Sequence, residues 1–288
     1  MLRPQFIVAL LVAVLCHLGA GSAEAARAVA TDWVDGHNSK VRLLVGGRPG
    51  ADGGIERYAA LEIQLAPGWK TYWRQPGSAG GIPPAINSSG SVNLDTLDLR
   101  FPAPQRFIDS TGHTIGYKKA VVFPIALKPQ NPDQPVTLNL NLFFGVCREI
   151  CIPAEAAFKQ KIEPQDFTRW PPELAAAVAA LPTPSEQSSG RTVPVIKRIA
   201  PVSRSDGQHA LIIDVHYPGG SDGADLFAER GDGMGLAMTE VIARPSPDIT
   251  RFRLPIEDGA EWAKLGETGV ALTMTSKTAA STARRPRP

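Results

Sequence analysis

The chain has 288 residues, 43% of them hydrophobic, and its 30 Lys and Arg against 28 Asp and Glu leave a formal net charge of +2. Basic and acidic residues interleave along most of the length, so no electrostatic footprint for nucleic acid is present. A chain of this size buries enough core to fold without covalent staples, and usual domain sizes allow one or two domains.

The N-terminus carries Arg3, an apolar run from Phe6 to Leu18 and small residues ending in Ala23-Glu24-Ala25. This is the pattern of a cleavable secretory signal peptide over residues 1–25. The run is shorter than the ~20 residues a membrane-spanning helix requires. Cys16 follows Ala13, Val14 and Leu15 rather than a lipoprotein tetrapeptide. No later stretch reaches spanning length, and Ala120 to Leu127 is interrupted by Pro124. The expectation is a periplasmic protein with no membrane span after signal cleavage.

Residues 27–168 read as a first β-domain. Short β-like runs at Lys40–Val45, Tyr58–Leu65, Thr71–Arg74, Val121–Leu127, Val136–Phe144 and Ala157–Ile162 are separated by turn chemistry such as Pro67-Gly68, Pro76-Gly77 and Gly80-Gly81. In Val136–Leu142 apolar and polar residues alternate, which buries one face of a strand and wets the other. A short Ala-rich helix led by Pro171-Pro172-Glu173, the one helix the pattern supports, and a Pro/Ser-rich linker occupy 169–192. Residues 193–277 repeat the β pattern without any cysteine, and a basic tail with Arg284, Arg285 and Arg287 fills 278–288 as a solvated end. The fold class expected is all-β, a β-sandwich followed by a second, smaller β-sandwich.

With Cys16 removed alongside the signal peptide, Cys147 and Cys151 remain, in Phe144-Gly145-Val146-Cys147-Arg148-Glu149-Ile150-Cys151-Ile152-Pro153. An even count in an oxidising compartment points to a disulfide between them. Bridged Cα atoms lie about 4.4 to 6.8 Å apart, whereas four extended residues cover roughly 13 Å, so the chain must reverse between the two. A ring this small contributes on the order of 2 kcal/mol by loop entropy, against ~4.7 for a ring of 100 residues, a poor place for a staple. Short-range bonds at a surface turn are the readily exchanged ones. Arg148 favours a thiolate and Glu149 opposes it, so the flanking charges do not select the attacking thiol; position in the pair favours the first, Cys147.

Two other uses of the pair stay open: a copper-binding accessory site, with a histidine such as His113 completing the ligands, and an inert structural disulfide. His37, His113, His209 and His216 show no ligand spacing, and no metal or cofactor is expected. Gly231-Asp232-Gly233-Met234-Gly235 lacks the Lys-Ser/Thr ending of a phosphate loop, and no hydrolase motif is present. The aromatic cluster Trp69, Tyr72, Trp73 reads either as core or as packing over the cysteine pair.

Four segments, Pro67-Gly68-Trp69-Lys70-Thr71-Tyr72-Trp73-Arg74-Gln75-Pro76-Gly77, Phe101-Pro102-Ala103-Pro104-Gln105-Arg106-Phe107, Gly116-Tyr117 leading into Val121-Val122-Phe123-Pro124, and Cys147 to Pro153, occur in an order that resembles the N-terminal periplasmic domain of the DsbD/ScsB protein-disulfide reductases. The resemblance covers roughly residues 31 to 165. It implies an immunoglobulin-like sandwich with a reversible disulfide at one edge, Cys147 and Cys151 as the redox pair, the stretch Phe107 to Tyr117 as a cap loop over it, and Tyr72 and Trp73 as aromatic lining. It further implies partners: thioredoxin-like proteins and a separate membrane thiol reductase as electron source, and periplasmic disulfide-bearing clients, including disulfide isomerases and cytochrome c maturation proteins. This sequence departs from the best-known members in placing three residues between the cysteines rather than five, and it shows neither the eight-helix membrane domain nor the C-terminal thioredoxin domain of the full-length reductases.

Overall fold

The computed structural model describes residues 30–109, 112–187, 192–203, 207–256 and 258–285. The expected signal peptide lies outside them. Residues 30–162 fold into eleven strands: β1 (Val34–Gly36), β2 (Ser39–Pro49), β3 (Ile55–Leu65), β4 (Lys70–Tyr72), β5 (Ala85–Asn87), β6 (Leu94–Leu99), β7 (Gln105–Asp109), β8 (Gly112–Lys118), β9 (Ala120–Pro129), β10 (Val136–Cys147) and β11 (Cys151–Ile162). One sheet has the order β1-β2-β3-β9-β6; the other has the order β11-β10-β4-β8-β7, with β5 also paired to β10.

The pleat explains how the two sheets meet. In β10, Val136, Leu138, Leu140 and Leu142 are buried while Asn141 and Phe143 face out, and the buried set packs against Leu43, Leu61, Ile63, Phe123 and Ile125 of the opposite sheet. Each fully buried aliphatic or aromatic side chain contributes about 1.5–3 kcal/mol by leaving water. The first sheet is covered on its outer face too: Leu44, Tyr58 and Ala60 pack against Leu174 of α1 (Pro172–Ala179). Gly47 permits this return, since a Cβ there would strike the Phe167 carbonyl, and its N–H donates to the Arg169 carbonyl at 2.7 Å.

The chain continues through β12 (Thr183–Pro184), β13 (Val195–Ser203), β14 (His209–His216), β15 (Asp225–Arg230), β16 (Glu240–Ser246), β17 (Ile249–Ile256), α2 (Gly259–Thr268), β18 (Val270–Thr275) and β19 (Ala280–Arg285). These form two four-stranded sheets, β12-β19-β18-β15 and β13-β14-β17-β16, which share a core of Leu211, Ile213, Phe252 and Leu254 from one and Leu226, Leu272 and Met274 from the other. The fold is therefore all-β and immunoglobulin-like, with a second, smaller pair of sheets. Among the described residues no helix is long and apolar enough to cross a membrane.

Two readings of the sequence change. Helix α2 was not expected; its signal is Asp258, whose side chain accepts the Glu261 N–H at 2.7 Å as an N-cap. Residues 280–285 of the basic segment are strand β19, paired to β18 along its whole length and parallel to β12, because alternate residues Ser281 and Ala283 fit a buried face. Arg287 lies outside the described residues.

The two sheet pairs meet through charged and aromatic side chains. Phe227 of β15 enters the first core, its ring 5.7 Å from that of Trp73. Arg74 makes a two-pronged pair with Glu229 at 2.9 and 2.6 Å, and Arg106 grips Asp225 at 2.9 and 2.6 Å. Glu229 is 4% exposed in its side chain, so its loss leaves a guanidinium without its counter-charge. Glu229→Ala is expected to cost about 2 kcal/mol, a fall in midpoint of about 5 °C, measured by thermal unfolding followed by circular dichroism; an unchanged midpoint would show that the two sheet pairs do not depend on this contact.

Candidate redox site

β10 and β11 form a hairpin closed by Arg148-Glu149-Ile150, and its uninterrupted register runs from Val136 opposite Ile162 to Cys147 opposite Cys151. Residues directly opposite in an antiparallel pair have Cα atoms about 4.5–5.5 Å apart, inside the disulfide window of about 4.4–6.8 Å. The two cysteine sulfurs lie 2.6 Å apart. The three-residue reversal thus meets the geometric demand made by the sequence spacing.

Which face the sulfurs take follows from the core. On the adjoining rung Val146 of β10 lies beside Thr71 of β4 and Thr71 beside Tyr117 of β8, and all three are buried, Val146 and Tyr117 in the core cluster. One residue along, the rung Cys151, Cys147, Lys70, Lys118 must project from the other face, since successive side chains alternate. Cys147 is only 6% exposed, whereas Cys151 is open to solvent next to Ile150, itself 74% exposed. The pair therefore has a covered member and an accessible one.

Tyr72, two residues from Lys70 on the same face, sends its hydroxyl to 2.7 Å from the Cys151 sulfur. Its ring is 1% exposed because Gly81, at φ +148°, lies flat against it where a Cβ would overlap the ring. The Ile82 carbonyl accepts the Gly145 N–H at 2.8 Å and pins that loop to β10. Burial, then hydrogen bonding to the two thiols, pushes the Tyr72 phenol far above its ordinary value, so it stays a proton donor. Burial also pushes the Cys147 thiol up, as does its hydrogen bond to Cys151, while the Tyr72 hydroxyl and the Lys70 ammonium pull it down.

The remaining candidates fall elsewhere. Phe107 to Tyr117 is not a cap over the sulfurs but the hairpin β7–β8, whose closed end at Asp109–Gly112 is at the opposite end of β8 from the cysteine rung. Phe107 pairs with Thr114, well up β8. Tyr117 is a core residue: its ring meets Phe123 at 5.3 Å and its hydroxyl donates to the Pro102 carbonyl at 2.8 Å. Trp73, fully buried, turns toward Phe227. His113 pairs with Ile108 near the closed end of the same hairpin and is not brought to the cysteines. Lys70, 4% exposed, is the residue that the sequence reading passed over; the period of two back from Tyr72 was its signal.

Residues 53–162 match the family model described as thiol:disulfide interchange protein DsbD, N-terminal. Among solved structures, the N-terminal periplasmic domain of ScsB from Proteus mirabilis superposes with a TM-score of 0.62 at 23% identity, over 90% of this chain and 98% of that one. Bovine butyrophilin aligns over 80% of this chain and 91% of its own, at 13% identity and a TM-score of 0.23. No curated protein matches the sequence. Residues 53–162 are thus similar in sequence to the DsbD N-terminal domain, and the fold of the chain is similar to that of the ScsB periplasmic domain.

The raised Cys147 thiol has a kinetic consequence. In reduced protein, iodoacetamide labelling resolved by mass spectrometry should give Cys147 a midpoint above the usual ~8.5, with labelling slow at pH 7 and still rising through pH 9. Tyr72→Phe removes a donor and moves that midpoint further up. A Cys147 midpoint at or below 8.5 would contradict the balance of burial over donors described here.

Proposed function

We propose that Cys147 and Cys151 exchange disulfides with other proteins in the periplasm, taking electrons from a thioredoxin-like protein or a separate membrane thiol reductase and passing them to disulfide-bearing clients. The observation that carries this reading is the asymmetry of the pair, an accessible sulfur beside a covered one, on residues that a hairpin register places directly opposite each other. The match of residues 53–162 to the DsbD N-terminal family model and the likeness in fold to a periplasmic domain support it. In this reading residues 27–168 are the exchange domain, the leader over 1–25 exports it, and 193–277 brace it through Trp73 and Arg74.

The chemistry balances as follows. An incoming partner thiolate attacks the Cys151 sulfur of the oxidised pair; the bond to Cys147 breaks and Cys147 leaves as a thiolate, giving a mixed disulfide. A second partner thiolate then attacks the partner sulfur, releasing Cys151 and leaving this protein reduced. Toward a client the steps reverse: Cys151 attacks the client disulfide and Cys147 resolves the mixed disulfide. Exposure makes Cys151 the exchanging thiol, contrary to the expectation from chain order.

Cys147→Ser should accumulate a mixed disulfide with a thioredoxin-like partner on a non-reducing gel, and Cys151→Ser should not. A glutathione or dithiothreitol redox series read by thiol trapping should place the pair well above about −300 mV, among exchangeable bonds. A potential well below that value would mark a structural cross-link and remove the proposal; tight Cu(I) binding with no exchange would replace it.

A further inference from the structure

We propose that Lys70 is the positioning residue that makes Cys147 the leaving and resolving thiolate of the pair, its ammonium holding negative charge on that sulfur as the disulfide opens. The proposal rests on the exchange reading above and extends it to a residue outside the pair.

The geometry is that of a cross-strand rung. Lys70 lies directly opposite Cys147 in the β4–β10 ladder, and partners at such a position share a face with Cβ atoms about 4.5–5.5 Å apart. Both are buried, Lys70 at 4% and Cys147 at 6%. Charges that face each other in such a place interact more strongly than in water.

The other groups facing Cys147 do not duplicate this charge. Cys151 on β11 opposes a second negative charge. Tyr72 on β4 donates a proton but carries no charge. On β8, Lys118 is exposed and its ammonium lies over the Phe107 ring at 4.1 Å. In the hairpin loop, Arg148 faces Glu149 at 3.8 Å and the Trp69 ring at 5.9 Å, with both charged side chains largely exposed. Lys70 also draws the Cys147 thiol down against its burial.

The consequence for exchange is directional. When a partner thiolate attacks Cys151, the electron pair of the broken bond stays on the Cys147 sulfur, and the buried ammonium on the same rung stabilises the negative charge that results. When Cys147 later attacks the mixed disulfide at Cys151, the partner leaves as a thiolate and takes a proton from solvent. A sulfur that is covered and otherwise raised in pKa would be a poor leaving group; Lys70 offsets that handicap on the one sulfur where it matters.

The test compares wild type, Lys70→Met and Lys70→Arg in the full mature chain. Lys70→Met should raise the midpoint of Cys147 alkylation by a pH unit or more and slow reduction of the oxidised pair by dithiothreitol severalfold at pH 7. Lys70→Arg should restore most of both, because it keeps the charge. Unchanged profiles in Lys70→Met, or an arginine variant that behaves like the methionine one, would overturn the proposal. Should Lys70→Met not fold, the side-chain nitrogen resonance of Lys70 in reduced wild-type protein decides: it should titrate with the Cys147 alkylation midpoint, and a resonance blind to that midpoint overturns the proposal. Mixed-disulfide trapping tests the exchange reading independently, so a failure of one is not mistaken for a failure of the other.

Discussion

The constraint from which the site follows is the pleat of β10 and β4 against a packed core. Val146, Thr71 and Tyr117 are held inward by burial, and a strand offers no rotation between neighbours, so Cys147, Lys70 and Lys118 must face outward on the next rung. Slipping the register by one residue would bury two thiols and two lysines and expose the apolar set. The energy that fixes the chemistry is therefore that of the core, and the sulfurs themselves contribute little to it.

β4 is where the two halves of the molecule meet the site. Lys70 and Tyr72 serve the cysteine face, while Trp73 and Arg74 reach Phe227 and Glu229 of the second sheet pair. A strand of three residues has few ladder bonds of its own, and the buried aromatic contact and two-pronged ion pair just beyond it anchor the chain where the ladder ends. The arrangement accounts for the aromatic and charged density of Gly68 to Gln75, which core packing alone would not call for.

Where local reading failed, tertiary contact was the missing term. The Ser/Thr/Ala composition of 276–285 carries no strong signal, yet Ser281 and Ala283 become buried once β18 and β12 flank them. The aromatics at 107 and 117 are legible as strand residues, but whether a β-hairpin caps a site or extends a sheet depends on which strand lies beside it. Here β4 intervenes between β8 and β10, and the hairpin points away from the sulfurs.

The sequence by itself determined the class: alternation and turn chemistry specify an all-β chain, because a period of two admits no other buried arrangement, and two cysteines three residues apart demand a reversal that brings them together. Tyr72 was legible as a candidate beside them. Tertiary structure alone decided that Cys147 is covered and Cys151 open, that Lys70 shares their rung, and that Trp73 and Tyr117 belong to packing. The reason is that face and neighbour on a sheet are set by the register between strands far apart in the chain, and that register depends on the whole core rather than on any local run of residues.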